Sequence, residues 1–298
     1  MNIFTNLLSV LLACVLLISL FSCATSPKDE QGSDDKTTQT TQNSQNTTAP
    51  DEIAPEPIVY SEGLEFMLNS DSTGYVVKGI GACTDTELMI PNEYQGLPVV
   101  EIGEKAFMNC SALTSVTVPD SVTRIGKFAF SNCTSITSIK LPFVGAEEGA
   151  DEMSTRKFGY IFGEGSNQSA LPTSLKTVEI TKATSIPDSA FLGCDKLTSV
   201  VLHESVTSIE TMAFYGCKNL TNIEIRGDLT FIGMESFFGC LALKKIVIPK
   251  SVIYIDNNAF EGNQLTIYCE ISSQPATWHK DWNRFNLTVV WGYTGDKS

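Results

Sequence analysis

The chain has 298 residues, with 20 Lys and Arg against 34 Asp and Glu and a formal charge of −14 at pH 7. That balance argues against a nucleic-acid binder, which needs a positive footprint to displace counterions. With 42% hydrophobic and only 18% charged residues, most of the length can bury a core.

The first segment, "IFTNLLSVLLACVLLISLF" from Ile3 to Phe21, is apolar enough to be weighed as a membrane span. Its C-terminal end redirects that reading. "LFSC", Leu20 to Cys23, resembles the lipobox of bacterial lipoproteins, whose cysteine receives the lipid. "LLAC", ending at Cys14, fits the same box but leaves too short an apolar run before it. Residues 1–22 are thus expected to be a lipoprotein signal peptide, with Cys23 the lipidation site and the lipid the only membrane attachment. An uncleaved anchor is the alternative, because "MNIFTN" lacks the Lys or Arg of an ordinary signal.

Residues 23–58 are rich in Ser, Thr, Gln, Asn, Asp and Pro. Such a segment cannot bury enough apolar surface to offset ordering entropy, so it reads as a disordered polar tether. About 35 residues of this kind reach roughly 30–35 Å. Residues 59–107 read as an N-terminal cap and first repeat, with "LEFML" and "YVVKG" forming a capping strand pair.

From there the chain repeats itself. Phe107 and Phe130 are 23 residues apart, and the same step links Phe191, Phe214, Phe237 and Phe260. Cys110 and Cys133 keep it, as do Cys194, Cys217 and Cys240, and Asn263 falls where the next cysteine would stand. Within a unit, L-x-x-V-x-V suits a short strand with one buried face. Pro119 and Pro249 stop that strand. "SVTRI" gives a second extended piece, "GKFAF" a turn or short helix that drives Phe inward, and "SNC" closes the coil. One unit cannot cover its own apolar face, so units must stack into a column.

The units resemble the BspA-type leucine-rich repeats of bacterial surface proteins. "VTVPDSVTRIGKFAFSNC" and "IVIPKSVIYIDNNAFEGN" carry the phrasing nearly whole, and the resemblance extends over about residues 59–294. It implies a mostly β, α/β-type solenoid: a right-handed leucine-rich repeat coil of 23-residue repeats, with an N-terminal β cap and an aromatic C-terminal cap. The repeats occupy 108–263 and the C-terminal cap 264–298. In that cap Trp278, Trp282 and Trp291 are expected to cluster with Phe285 and Tyr293.

One irregularity breaks the step. Phe130 and Phe191 are 61 residues apart, and the pieces Ile139–Leu141 and Val178–Ile180 are 39 apart. That fits one ordinary coil plus about 16 extra residues, an insertion at about 143–168. It contains the acids Glu147, Glu148, Asp151 and Glu152, which lack the ligand order of a calcium loop and read as a solvated surface.

Chemistry is poorly provided for. There are two histidines, His203 and His279, and no C-x-x-C, G-x-S-x-G, P-loop or H-E-x-x-H. The ladder cysteines read as small core residues, and Cys83 and Cys269 as lying off the ladder near opposite ends. No catalytic residue, metal or cofactor is expected.

Strand phase predicts what faces out. With Val116 and Val118 inward, one outward residue per coil gives the column Thr117, Lys140, Glu179, Val201, Glu224 and Val247. Ser115, Ser138, Thr177, Ser199, Asn222 and Lys245 run parallel to it. The expected function is therefore a lipid-anchored, surface-exposed binding or adhesion module in the cell envelope. Its partner would be a protein or glycan of a host or neighbouring cell. The alternative is a secreted hydrolase or nutrient-capture accessory protein with a pocket at the 143–168 insertion.

Overall fold

A computed structural model describes residues 58–163 and 166–295. The expected signal segment, Cys23 and the tether up to residue 57 lie outside the described residues. The rest is a β-solenoid with almost no helix.

Each L-x-x-V-x-V piece forms one strand, and successive strands pair in parallel. Strands β3 (Glu87–Met89), β6 (Ser115–Thr117), β8 (Ser138–Leu141), β9 (Thr177–Ile180), β11 (Ser199–Leu202) and β13 (Asn222–Ile225) make a six-stranded sheet. Strands β15 (Lys245–Ile248), β17 (Thr266–Cys269) and β18 (Thr288–Trp291) make a three-stranded one. Register is set by the buried face: Val200 stands opposite Val178 and Ile223, so a slip of one residue would turn every apolar side chain outward.

The S-V-T-x-I pieces form a second ladder of two-residue strands. These are β10 (Ser185–Ile186), β12 (Ser208–Ile209), β14 (Phe231–Ile232) and β16 (Tyr254–Ile255). Threonine locks it: the Thr207 and Thr230 side chains donate to the carbonyls of Thr184 and Thr207, one coil back. At the N-terminal end β1 (Glu65–Leu68) pairs antiparallel with β2 (Tyr75–Gly79), the expected cap hairpin. β2 runs parallel to β5 (Leu97–Ile102), which also pairs with β4 (Glu93–Tyr94) and β7 (Arg124–Ile125).

On the third side the A-F-x-x-C segment makes tight turns rather than a helix. The residue two before each Phe is left-handed: Lys105, Phe128, Ser189, Met212, Glu235 and Asn258 have φ of 53–62°. The residue two after each Phe is left-handed as well, and there it is always Asn or Gly, as at Asn132 and Gly216. These two reversals aim the phenylalanines into a buried column. Rings of Phe191, Phe214 and Phe237 stack at 5.1 and 5.2 Å, and Phe260 follows at 5.6 Å. Each fully buried ring is worth about 1.5–3 kcal/mol of transfer free energy.

The cysteines close the coils with hydrogen bonds. Sγ of Cys133, Cys217 and Cys240 donates to the carbonyl of Phe107, Phe191 and Phe214 respectively, at 3.0–3.2 Å. Asn263 takes the same position and donates its amide to Phe237 O at 2.7 Å. All seven described cysteines are free thiols. Cys83, expected off the ladder, is its first rung. Its N–H closes on Ile80 O at 3.0 Å as Cys110 N–H closes on Phe107 O at 3.1 Å, and its thiol neighbours Cys110.

The insertion is one long coil that leaves the strand sheet intact: β8 pairs directly with β9. Its interior belongs to the core. A 3₁₀ turn, Phe158–Ile161, sets Phe158 at 5.0 Å from Phe191, and Phe162 stands 6.2 Å from Phe130, so two rings bridge the phenylalanine column. A single helical turn, α1 (Asn167–Ala170), holds Asn167 where its amide donates to the carbonyls of Ala190 and Leu192 and its oxygen accepts from Gly159 N–H. Phe143, Val144, Phe158, Ile161 and Phe162 of this coil are all buried in the core.

At the C-terminal end Trp278, Trp282 and Trp291 cluster at 4.9–6.3 Å, and Trp282 stands edge-on over Phe260 at 6.4 Å. Two expected members are placed otherwise. Phe285 is exposed beneath Arg284, and Tyr293 packs on Tyr268. Residue 285 falls in the turn before β18, on the solvent side of the coil.

Candidate binding face

The outward column forms as the strand phase requires. Thr117, Lys140, Glu179, Val201 and Glu224 occupy equivalent register positions across β6 to β13, and Val247 holds that position on β15. Its middle is an ion network. Lys140 Nζ lies 2.9 Å from Glu179, Arg226 bridges Glu179 at 3.2 Å and Glu224 at 2.7 Å, and Val201 lies between the two carboxylates. Burial acts to raise the Glu179 carboxyl, but the hydrogen bonds and charges of Lys140 and Arg226 outweigh it and hold it below the usual range. Half of the column is thus neutralised within the chain, while Thr117, Val201 and Val247 remain half-exposed.

Sequence reasoning did not find Arg226. It stands where other coils place Pro119 or Pro249 after the strand, as does His203 one coil earlier. Between these two substituted turns lies an open cleft of about 450 Å³ lined by His203, Glu204, Ser205, Arg226, Gly227 and Asp228. A Cβ on Gly227 would fall 2.1 Å from the Glu204 carbonyl oxygen, so only glycine permits this approach of the coils. The His203–Ser205 contact of 2.9 Å is a turn, not a nucleophile and its base. His203 Nδ1 accepts the Ser205 N–H, and the Ser205 hydroxyl lies within 3.0 Å of the Lys182 and Ala183 carbonyls, to which it donates.

The insertion acids are all exposed, and one has a structural task. Glu148 accepts from both the N–H and the hydroxyl of Thr184 at 2.9 Å, at the first strand of the second ladder. It replaces the carbonyl that Thr207 and Thr230 find in the coil before them. Glu147, Asp151 and Glu152 are not gathered around a point; among the described residues no cluster of three metal-ligating side chains forms.

The strand face contains a seam. Among the described residues no backbone hydrogen bond joins β13 to β15, although every other neighbouring pair on this face is laddered. Both usual clasps are missing there. At the strand start the hydroxyls of Thr137 and Thr221 donate to the preceding coil at 3.0 Å, but the equivalent residue on β15 is Lys244. At the strand end Arg226 N–H donates to Leu202 O, but the equivalent residue is Pro249, which has no N–H. Pro119 follows a strand whose threonine clasp, Thr114, is present, and that strand stays paired. Ile223 and Ile225 are half-exposed at the seam, whereas Val200 and Leu202 one coil earlier are fully buried.

Comparison with known proteins agrees with this architecture. The BspA type leucine rich repeat region matches residues 86–148 and 170–279 in six copies, more than half of the chain. No curated protein matches it. Among solved structures, a leucine rich cell surface protein from Faecalibacterium prausnitzii is 25% identical over 80% of this chain and 55% of its own, with a TM-score of 0.40. The chain therefore spans about half the length of that protein. The T. pallidum leucine rich repeat protein TpLRR is 22% identical over 62% of this chain and 90% of its own, with a TM-score of 0.36. A leucine-rich repeat protein from Bacteroides ovatus is 21% identical over 80% and 71%, with a TM-score of 0.33. With its 23-residue coils, its phenylalanine column and a family match over more than half of its length, this chain belongs to the BspA type leucine-rich repeat family.

Proposed function

We propose that the chain is a surface binding module that holds a protein or glycan partner on its strand face. The observation that supports this reading most is the outward column. Parallel register places one side chain per coil in line, at a step of about 4.8 Å, on a scaffold that needs none of them for its core. The matched family is a repeat scaffold rather than a catalytic one, and the His203–Ser205 pair is engaged in a turn. The "LFSC" box supports lipid anchoring through Cys23 at a cell envelope, with the polar tether holding the solenoid off the membrane.

Two experiments test this. The full chain is screened against immobilised matrix proteins and glycans, and any partner is retested with Val201→Glu and Val247→Glu. Loss of binding by variants that melt like the wild type supports the reading; unchanged binding refutes the strand face as the site. Cys23→Ala should release the protein from the membrane fraction and abolish incorporation of a labelled fatty acid.

A further inference from the structure

On a chain of charge −14, one edge of the strand face is basic. Lys176, Lys196, Lys218, Lys244 and Lys245 stand at the upstream ends of successive strands. All are exposed except Lys196, which is half-buried. Contacts between coils tie them into one row. Thr198 N–H donates to Lys176 O, Lys176 Nζ donates to Lys196 O, and Ala242 N–H donates to Lys218 O. The carboxylate on this edge is Asp195, engaged by Lys196 at 3.0 Å and by Gln168 at 2.9 Å. Lys218 also acts on the Asp195 carboxylate through its charge, without a direct hydrogen bond to it, and Lys244 Nζ donates to Leu241 O at 3.2 Å.

The seam adds donors at the same place. Thr221 and Asn222 both give their N–H to the Thr198 carbonyl, at 2.9 and 3.1 Å. One coil later the corresponding N–H groups of Lys244 and Lys245 have no acceptor among the described residues. Two backbone donors without an acceptor therefore stand at the start of β15, on the two residues Lys244 and Lys245 that also carry exposed ammonium side chains, a place that suits an anion.

We propose that this edge holds an acidic polysaccharide, with its carboxylate or sulfate groups seated along the lysine row and one of them at the seam. The proposal rests on the strand face being the binding surface and names the partner for its upstream edge. Each of four successive coils gives this edge at least one cation, Lys176 and Lys244 directly before their strands, Lys196 and Lys218 three and four residues before theirs, and Lys245 at the start of β15, which suits an extended chain carrying repeated charge. An anionic membrane would bring lipid phosphates against Glu179 and Glu224 on the same face. A single-stranded nucleic acid needs aromatic stacking platforms among the cations, and the row has none. A protein interface needs an apolar centre, and the row offers only Leu241.

The test uses the full chain with heparin and polygalacturonate as sulfated and carboxylated probes and dextran as the neutral one. Both anionic chains, or one of them, should bind at low salt and weaken as salt rises, and dextran should not bind. The triple change Lys218→Gln, Lys244→Gln, Lys245→Gln should lower affinity at least tenfold with an unchanged melting temperature. Lys78→Gln, Lys250→Gln, Lys280→Gln removes equal charge elsewhere and should change affinity less than twofold. The proposal falls if neither anionic probe binds, if both triple variants lose affinity equally, or if the row captures only anionic-lipid vesicles. A partner that is lost with Val201→Glu and Val247→Glu but survives the lysine variant would uphold the strand face and overturn this edge.

Discussion

The thiol of Cys217 donates to the carbonyl oxygen of Phe191, one coil back, at 3.2 Å, and the Asn263 amide does the same for Phe237 at 2.7 Å. A cysteine and an asparagine are thus interchangeable as donors at this corner. Cys217→Ala removes the bond and part of the packing and should cost about 1–3 kcal/mol. Cys217→Ser keeps a donor and should cost less than Cys217→Ala. Asn263→Ala should cost at least as much as Cys217→Ala, because an amide N–H is a stronger donor than a thiol. Urea unfolding of the three variants orders them.

Burial also silences the ladder. It pushes the Cys133, Cys240 and Cys269 thiols up to about 12, and raises Cys194 and Cys217 well above their ordinary value. Scarcely any thiolate exists on these five cysteines at pH 8, and the thiolate is the nucleophile. Iodoacetamide on the native protein should label the half-exposed Cys83 and Cys110 and spare the five buried cysteines, four on the ladder and Cys269 on β17, as peptide mass spectrometry would read. Extensive native labelling of Cys217 would contradict the fold.

The strand-face network should give an acid signature. Glu179 has a lowered pKa in the fold, so its contribution is complete above the ordinary glutamate value, about 4.3. It is lost as pH falls through the lowered value. Lys140 and Arg226 are about half exposed, so the contribution at pH 7 is about 1 kcal/mol or less. Glu179→Gln should be less stable than wild type by that amount at pH 7, and the gap should close as pH falls below the ordinary glutamate value. Melting temperatures across pH 2–8 test it.

Two departures from the repeat are correctable. Ser236 stands where other coils have Ala, and its buried hydroxyl has no partner among the described residues. Ser236→Ala should stabilise by about 1 kcal/mol. Met212 is left-handed at φ 55°, a position that Asn258 fills in the last full coil. Met212→Asn should stabilise by up to about 1 kcal/mol. Thermal unfolding of both variants checks the direction.

The seam should close when its clasp is restored. Lys244→Thr supplies the hydroxyl that Thr221 gives to Thr198. Amide exchange at Lys245 and Val247 should slow, with a gain of about 0.5–1.5 kcal/mol. Unchanged exchange there would mean that Pro249 alone holds the strands apart.

How much of this was legible in the sequence depends on what each residue type must do. The strand phase, the cap hairpin and the phenylalanine column were readable, because burying Val116 or Phe214 demands an apolar side chain at a fixed step. The closing of the coil at "SNC" was read, but its left-handed residue was not, although Asn109, Asn132 and Gly193 to Gly262 are the types that tolerate it. Nor was its partner before Phe, because Lys105, Phe128, Met212 and Glu235 adopt the same φ with no shared chemistry. Cys83 was misplaced because its coil reaches the strand by a different number of residues, and Ile80 stands in for the phenylalanine. Arg226 and Glu148 were missed as structural partners because their contacts cross coils and leave no local pattern. The seam needed two absences at once, a missing hydroxyl and a missing N–H, at residues five positions apart.

In a stack of this kind, cooperativity is a sum over nearest-neighbour couplings, and the junction between β13 and β15 is the weakest on the strand side. Heating or a pull on the ends would therefore divide the column into two melting blocks at that joint. All three tryptophans, Trp278, Trp282 and Trp291, sit on its C-terminal side. Intrinsic fluorescence consequently follows the short block alone, while far-ultraviolet circular dichroism follows both, so the separation of the two transitions measures the strength of the joint.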